Sequence, residues 1–289
     1  MRPFTGILRS RLRGRDVVVC SCTGAGHVEK KTPCQDACMG AVLFYRGHPY
    51  TVLAVADGHG SATYTHSDVG AHLAMQAVQS AAARFIPYVV ELLEEQADEW
   101  RRAAQNEFKK HFGRWVCEAW EKLVLAHRDE REPSDDPLKP YGTTLASALL
   151  FEDIVFVGAI GDSVVYFLRR AHDGSVSTAF PEDTALIALQ SHSLSSPTAY
   201  QKWDTMTCSL EELDMLLLGT DGFKDSLQDP EVAVKDMHDK ATAPDGVRWL
   251  NEALPRQLAR WSDDGVGDDI SVVACVFSES PSQEEACQE

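Results

Sequence analysis

Long apolar runs are missing from this sequence of 289 residues. The longest, such as Ile154–Ile160, are strand-sized and far from the ~18–20 residues a membrane-spanning helix needs. No membrane association is therefore expected. Positive charge is also scarce: 27 Lys and Arg face 44 Asp and Glu, a formal net charge of −17. That balance argues against a protein holding nucleic acid by phosphate neutralisation. Eight cysteines, at positions 20, 22, 34, 38, 117, 208, 275 and 287, are too few for a disulfide scaffold in a chain this long. They point to a reducing, cytoplasmic setting. Internal repeats and long linkers are absent, which excludes a solenoid. Hydrophobic residues make up 44% and charged ones 25%, ordinary for a globular protein with a sizeable core.

What charge there is falls unevenly. Arg2, Arg9, Arg11, Arg13 and Arg15 make the first 15 residues basic, without the apolar core of a secretory signal, so 1–15 reads as a flexible, solvated arm. The Ser-, Gln- and Glu-rich stretch 279–289 reads as a disordered acidic tail. Between them, 16–278 reads as one domain.

Short apolar or β-branched runs predict strands at Asp16–Cys22, Gly40–Tyr45, Thr51–Ala56, Thr144–Phe151, Ile154–Ile160, Val164–Arg170, Met215–Thr220 and Ile270–Phe277. Cys20 and Cys22 fall on one face of the first, as buried thiols rather than zinc ligands. An Ala-, Leu-, Glu- and Arg-rich stretch between Thr63 and Glu130 predicts helix, split at Pro87, with Trp100, Trp115 and Trp120 as core anchors. A third helical segment is expected over Asp245–Trp261. Paired strands, then helices, then strands again imply an α+β layered domain with mainly antiparallel sheets.

Two of the five Asp-Gly pairs stand out. Asp57-Gly58 ends the run TVLAVA, and Asp221-Gly222 ends LDMLLLGT. A carboxylate at the end of an apolar strand, followed by Gly, projects from a rigid sheet with bare backbone beside it. Asp268-Asp269 precedes another strand, and Asp36 precedes one in PCQDA. Two unit charges ~4 Å apart repel by about 4 kcal/mol at an effective dielectric of 20. If these ends converge, protons or cations must intervene, and oxygen-only donors favour Mg²⁺ or Mn²⁺.

Six stretches, SCTGAGHVEKKTPCQDA (21–37), VADGHGS (55–61), YGTTLASALL (141–150), VGAIGDSVVYFLR (157–169), LLLGTDGFKDSL (216–227) and GDDISVVACVF (267–277), together resemble the metal-dependent serine/threonine protein phosphatases of type 2C (PPM), bacterial-type branch. The resemblance implies a four-layer α-β-β-α sandwich with a two-metal centre at one end. It implies hydrolysis of phosphoserine or phosphothreonine in proteins by a metal-bridging hydroxide. By motif position, Asp57 matches the acid bridging both ions, and the Gly58 carbonyl a ligand of the second. Asp221 and Asp268 match acids on the first ion, and Asp36 an acid acting through metal-bound water. Gln35 stands where many members carry a ligating Glu. His59 matches the proposed general acid, and Lys31 an Arg that clamps the substrate phosphate. Asp162, in GDS, reads as structural, and Thr143 and Thr144 as serving the sheet. A third ion is in doubt, because Lys139 stands at the aligned position of its acid, with Asp135 and Asp136 nearby. The segment Phe180–Thr207 lacks the family's Asp-His pair and is where substrate choice is expected to lie. A phosphoprotein substrate and a cognate serine/threonine kinase are the implied partners. A catalytically inactive phosphatase-fold module, or a phosphatase of small phosphomonoesters, are the alternative readings.

Overall fold

The structure, a computed structural model, describes residues 4–12, 15–95, 99–128, 135–170, 174–180 and 192–277. Its strands are β1 (Phe4–Leu12), β2 (Arg15–Cys22), β3 (Asp36–Tyr45), β4 (His48–Asp57), β5 (Leu145–Phe151), β6 (Ile154–Ile160), β7 (Val164–Arg169), β8 (Val176–Thr178), β9 (Asp204–Ser209), β10 (Leu213–Gly219) and β11 (Ile270–Phe277). The helices are α1 (Ala25–Lys30), α2 (Ser67–Glu95), α3 (Trp100–Glu107), α4 (Gly113–His127), α5 (Asp221–Asp225), α6 (Pro230–Thr242), α7 (Gly246–Arg248) and α8 (Leu254–Asp264). One-turn π segments, Phe108–Phe112 and Trp249–Ala253, join α3 to α4 and α7 to α8.

The strands form two sheets, ordered β1-β2-β11-β10-β7-β8 and β3-β4-β5-β6-β9, and neighbouring strands pair antiparallel throughout. Period-2 alternation sorts their side chains into layers. Val17 and Val19 of β2 meet Leu53 and Val55 of β4, with Leu216, Leu218 and Val273, between the sheets. The alternate residues Val18, Cys20 and Cys22 pack outward against Met237, Leu254 and Leu258. On the other side, Val52, Ala54 and Ala56 pack under Ala74, Val78, Phe85 and Trp120. Because the central strands are buried on both faces, they read in sequence as unbroken apolar runs. The architecture is the expected α-β-β-α sandwich.

Four features differ from the sequence reading. Residues 4–12 are not a free arm: β1 pairs with β2 from Leu12↔Arg15 to Phe4↔Cys22. Backbone pairing to a sheet edge needs no apolar side chain, so alternation broken by arginines hides it. Arg15 opens β2, while residues 1–3 and 13–14 of the arm, and the tail 279–289, lie outside the described residues. β8 and β9 are also edge strands with half-exposed faces and little apolar signal. The third omission, α6, begins with a legible start signal: Asp229 Oδ1 accepts the Val232 N–H at 3.1 Å, with Pro230 in the first turn.

The fourth difference is Pro87, which does not divide the helix. α2 runs unbroken through it to Glu95. Pro removes one helical hydrogen bond and strains the preceding turn, but Phe85, Ile86, Val89 and Val90, all 0% exposed, anchor both sides. Pro87→Ala is expected to stabilise the fold by about 1–2 kcal/mol, the helix gain offset by greater freedom in the unfolded chain. A urea midpoint that fails to rise would show that the helix has adapted fully to the proline.

Candidate metal centre

The β3–β4 ladder places Asp36 directly opposite Asp57 at one end of the five-stranded sheet. Val52 to Ala56 are all 0% exposed, so Asp57 leaves a strand that cannot shift. Gly58 follows in a space with no room for a side chain: a Cβ there would lie 2.6 Å from the Ser67 carbonyl oxygen and 2.7 Å from that of Gln35. β10 delivers Asp221 as the first residue of α5, and β11 is preceded by Asp268 and Asp269. Asp162 sits in the turn from β6 to β7.

Folding gathers these acids from both sheets. Asp57, Asp162 and Asp221 each offer a carboxylate oxygen within 4.8 Å of the others. Burial, reinforced by the charges of Asp36 and Asp221, holds the Asp57 carboxyl well above the usual carboxylate range. Asp36 is also pushed up, by burial and then the Asp269 charge, against hydrogen bonds from Thr220 and Ser271. Thr220 Oγ1 donates to Asp36 Oδ2 at 2.8 Å. Burial raises Asp221 to about 6, opposed by its hydrogen bond with Asp57. Among the described residues, no Lys or Arg pairs with any of these acids. A partly buried, uncompensated, all-oxygen set is the chemistry of a hard divalent cation site, so the residues present fit Mg²⁺ or Mn²⁺.

His59, two residues beyond Asp57, is half-buried. Burial lowers its pKa and the Asp162 charge opposes this. Its backbone N–H donates to the Gly142 carbonyl at 3.1 Å, and its ring lies 4.7 Å from that of Tyr64.

A family model described as Protein phosphatase 2C matches residues 23–259. The chain belongs to that family. Among solved structures, serine-threonine phosphatase 2C from Toxoplasma gondii is 13% identical with a TM-score of 0.59, covering 96% of this chain and 99% of that one. The catalytic domain of the serine threonine protein phosphatase PstP, in complex with 2 manganese ions, is 18% identical with a TM-score of 0.54 and coverage of 91% and 97%. RsbX in complex with magnesium is 14% identical, with a TM-score of 0.51 and coverage of 94% and 100%. At these identities the likeness establishes the fold. No curated protein sequence matches the chain.

Within this phosphatase 2C chain, the supports of Asp57 are explicit. Thr144 N–H and Thr143 Oγ1 both donate to the Asp57 carbonyl at 2.8 Å, and Asp57 N–H donates to Thr144 Oγ1 at 3.2 Å. The two threonines thus hold the Asp57 peptide as well as leading into β5. Asp269 is 2% exposed and accepts from Gly24 N–H at 2.6 Å, Gln35 N–H at 2.7 Å and His27 Nδ1 at 2.8 Å. Its oxygens are committed. Asp268 is exposed, and its Oδ1 accepts only the neighbouring Asp269 N–H, at 2.8 Å. Of the adjacent acids, Asp268 keeps one oxygen without a partner among the described residues, and its carboxylate groups with His27 and Asp269, not with Asp57, Asp162 and Asp221.

Gln35 turns its amide nitrogen inward, donating to Ser67 Oγ at 2.7 Å and the His59 carbonyl at 3.4 Å. Lys31 is exposed in a left-handed conformation (φ 57°) after α1, and among the described residues no hydrogen bond or ion pair ties its ammonium to the acids. Asp162, read from the sequence as structural, sits in the turn and also brings a carboxylate oxygen within 4.8 Å of those of Asp57 and Asp221. The signal was available, since it closes the apolar run 154–160 much as Asp57 closes its own. Beside Lys139, Asp136 Oδ1 accepts from the Leu138 and Lys139 N–H groups at 3.3 and 3.2 Å. Of Phe180–Thr207, positions 181–191 lie outside the described residues. The remainder docks on the site through Leu194 N–H to the Thr143 carbonyl, at 2.9 Å.

Proposed function

We propose that this chain is a divalent-metal-dependent phosphatase of phosphoserine and phosphothreonine in proteins. The observation that carries the reading is the convergence of Asp57, Asp162 and Asp221, with Asp36 behind them and His59 beside them, uncompensated by any basic side chain among the described residues. Asp57, Asp221, Asp268 and the Gly58 carbonyl would hold two ions, with Asp162 as a further donor. When bound, such ions supply an activated water and neutralise phosphoryl charge.

The protein's own groups do the rest. Asp36, fixed by Thr220, backs Asp57 and orients the donor set from behind. His59 would give a proton to the departing serine or threonine oxygen. Lys31 offers a point charge to the incoming phosphate from the exposed rim, without the bidentate fork an Arg would bring. The neutral Gln35 lowers the charge available to the second ion. A serine/threonine kinase would supply the substrate. A cytoplasmic setting is supported by the free thiols of the seven described cysteines.

Phosphate release from a phosphothreonine peptide tests the reading. Turnover is expected with Mn²⁺, none with chelator, and little on small phosphomonoesters. Absence of turnover with Mn²⁺ would overturn the assignment as an enzyme, and a preference for small esters would overturn the substrate class.

A further inference from the structure

The imidazole of His59 makes no side-chain hydrogen bond among the described residues. Something else must set its direction. The ring beside it is that of Tyr64, whose centre lies 4.7 Å from that of His59 at an interplanar angle of 54°, a tilted aromatic pair.

Tyr64 is itself fixed on three sides. Its N–H donates to the Ser61 carbonyl at 2.9 Å, and its carbonyl accepts the Ser67 N–H at 3.3 Å, which ties it to the start of α2. One edge of its ring lies against Gly142. A Cβ at that position would come within 2.5 Å of Tyr64 Cε1, 2.6 Å of Cδ1 and 2.9 Å of Ser195 Oγ. Only glycine leaves room for the ring. The carbonyl of the same Gly142 accepts the His59 N–H at 3.1 Å. Gly142 therefore holds the His59 backbone while its bare Cα seats the ring that packs on the His59 side chain.

We propose that Tyr64 is the positioning residue of the reaction, holding the His59 imidazole by ring contact in the direction required to protonate the leaving alkoxide. The inference rests on the phosphatase reading above. It assigns the work to the ring of Tyr64, not to its hydroxyl.

The test is a double-mutant cycle with two substrates. For a phosphothreonine peptide, whose alkoxide needs a proton, Tyr64→Ala is expected to lower kcat about ten- to a hundredfold with KM nearly unchanged. For p-nitrophenyl phosphate, whose phenolate leaves without help, the loss is expected to stay below about threefold. Tyr64→Phe keeps the ring and should match wild type on both. In a His59→Ala background, Tyr64→Ala should add nothing, since a residue acting through His59 has no further target. Additive losses, equal losses on both substrates, or a Tyr64→Phe as damaged as Tyr64→Ala would overturn the proposal. A readout without turnover keeps it separate from the phosphatase reading. The His59 ring proton resonance, shifted by the Tyr64 ring current, should persist in Tyr64→Phe and move in Tyr64→Ala. If it stays put in Tyr64→Ala, the positioning role fails whether or not the protein is a phosphatase.

Discussion

Asp57→Asn is expected to remove turnover by about a thousandfold or more, since it strips the charge from the acid at the centre of the cluster. The same change is expected to make the metal-free protein more stable. Asp57 is buried against Asp36 and Asp221, and its ionised form is disfavoured by both. Taking one charge out of such a group relieves repulsion, and each kcal/mol gained would raise the melting point by roughly 2–4 °C in a chain of this size. Mn²⁺ at a hundred times its dissociation constant should stabilise the wild type by about 2.7 kcal/mol, and Asp57→Asn should lose most of that gain.

The pH dependence has a definite sign. Asp221 is raised to about 6, and Asp36 and Asp57 are raised above their ordinary values, so the folded chain binds more protons than the unfolded one on the acidic side of neutrality. These groups therefore take stability away as pH rises through that window, and cations must displace the same protons. The Mn²⁺-induced rise in melting point should be larger near about pH 7.5 than near about pH 5. An Asp57→Asn protein that melts lower than wild type without metal, yet gains as much from Mn²⁺, would contradict the site.

The second large effect separates two neighbours in sequence. Asp269→Ala should cost about 3–5 kcal/mol, because it strands the buried N–H of Gly24, the part-buried N–H of Gln35 and the ring of His27. Asp268→Ala, at an exposed position, should leave the melting point of the metal-free protein almost unchanged while abolishing turnover. The pair thus trades places between folding and chemistry. Thermal melts of both variants in chelator decide it: similar midpoints would mean that the hydrogen bonds to Asp269 contribute little.

Much of this was legible in sequence, for physical reasons. Strands buried on both faces announce themselves, and Ile154–Ile160 and Ile270–Phe277 carry the same bounds in sequence and structure. The acids at strand ends stood out because each Asp-Gly pair closes an apolar run, a pattern shared with ordinary tight turns. Edge strands such as β1 and β9 were not, since backbone pairing leaves no mark on side-chain pattern. Asp162 was hidden by an equally good local explanation, the tight turn. Committing Asp269 to Gly24, Gln35 and His27 required contacts across more than two hundred residues, which spacing alone does not encode. The Tyr64 contact with His59 lay within one short loop, yet nothing in periodicity distinguishes it from any exposed tyrosine.

The acids come from opposite halves of the sandwich, Asp36 and Asp57 from one sheet and Asp221 and Asp268 from the other, with Asp162 on the turn that crosses between them. An ion seated there acts as a rivet through the mouth of the molecule. Stripping it would let the open end breathe first, while the distal hairpins, held by their ladders and by Arg15 and Arg101 at the Glu152-Asp153 turn, stay shut.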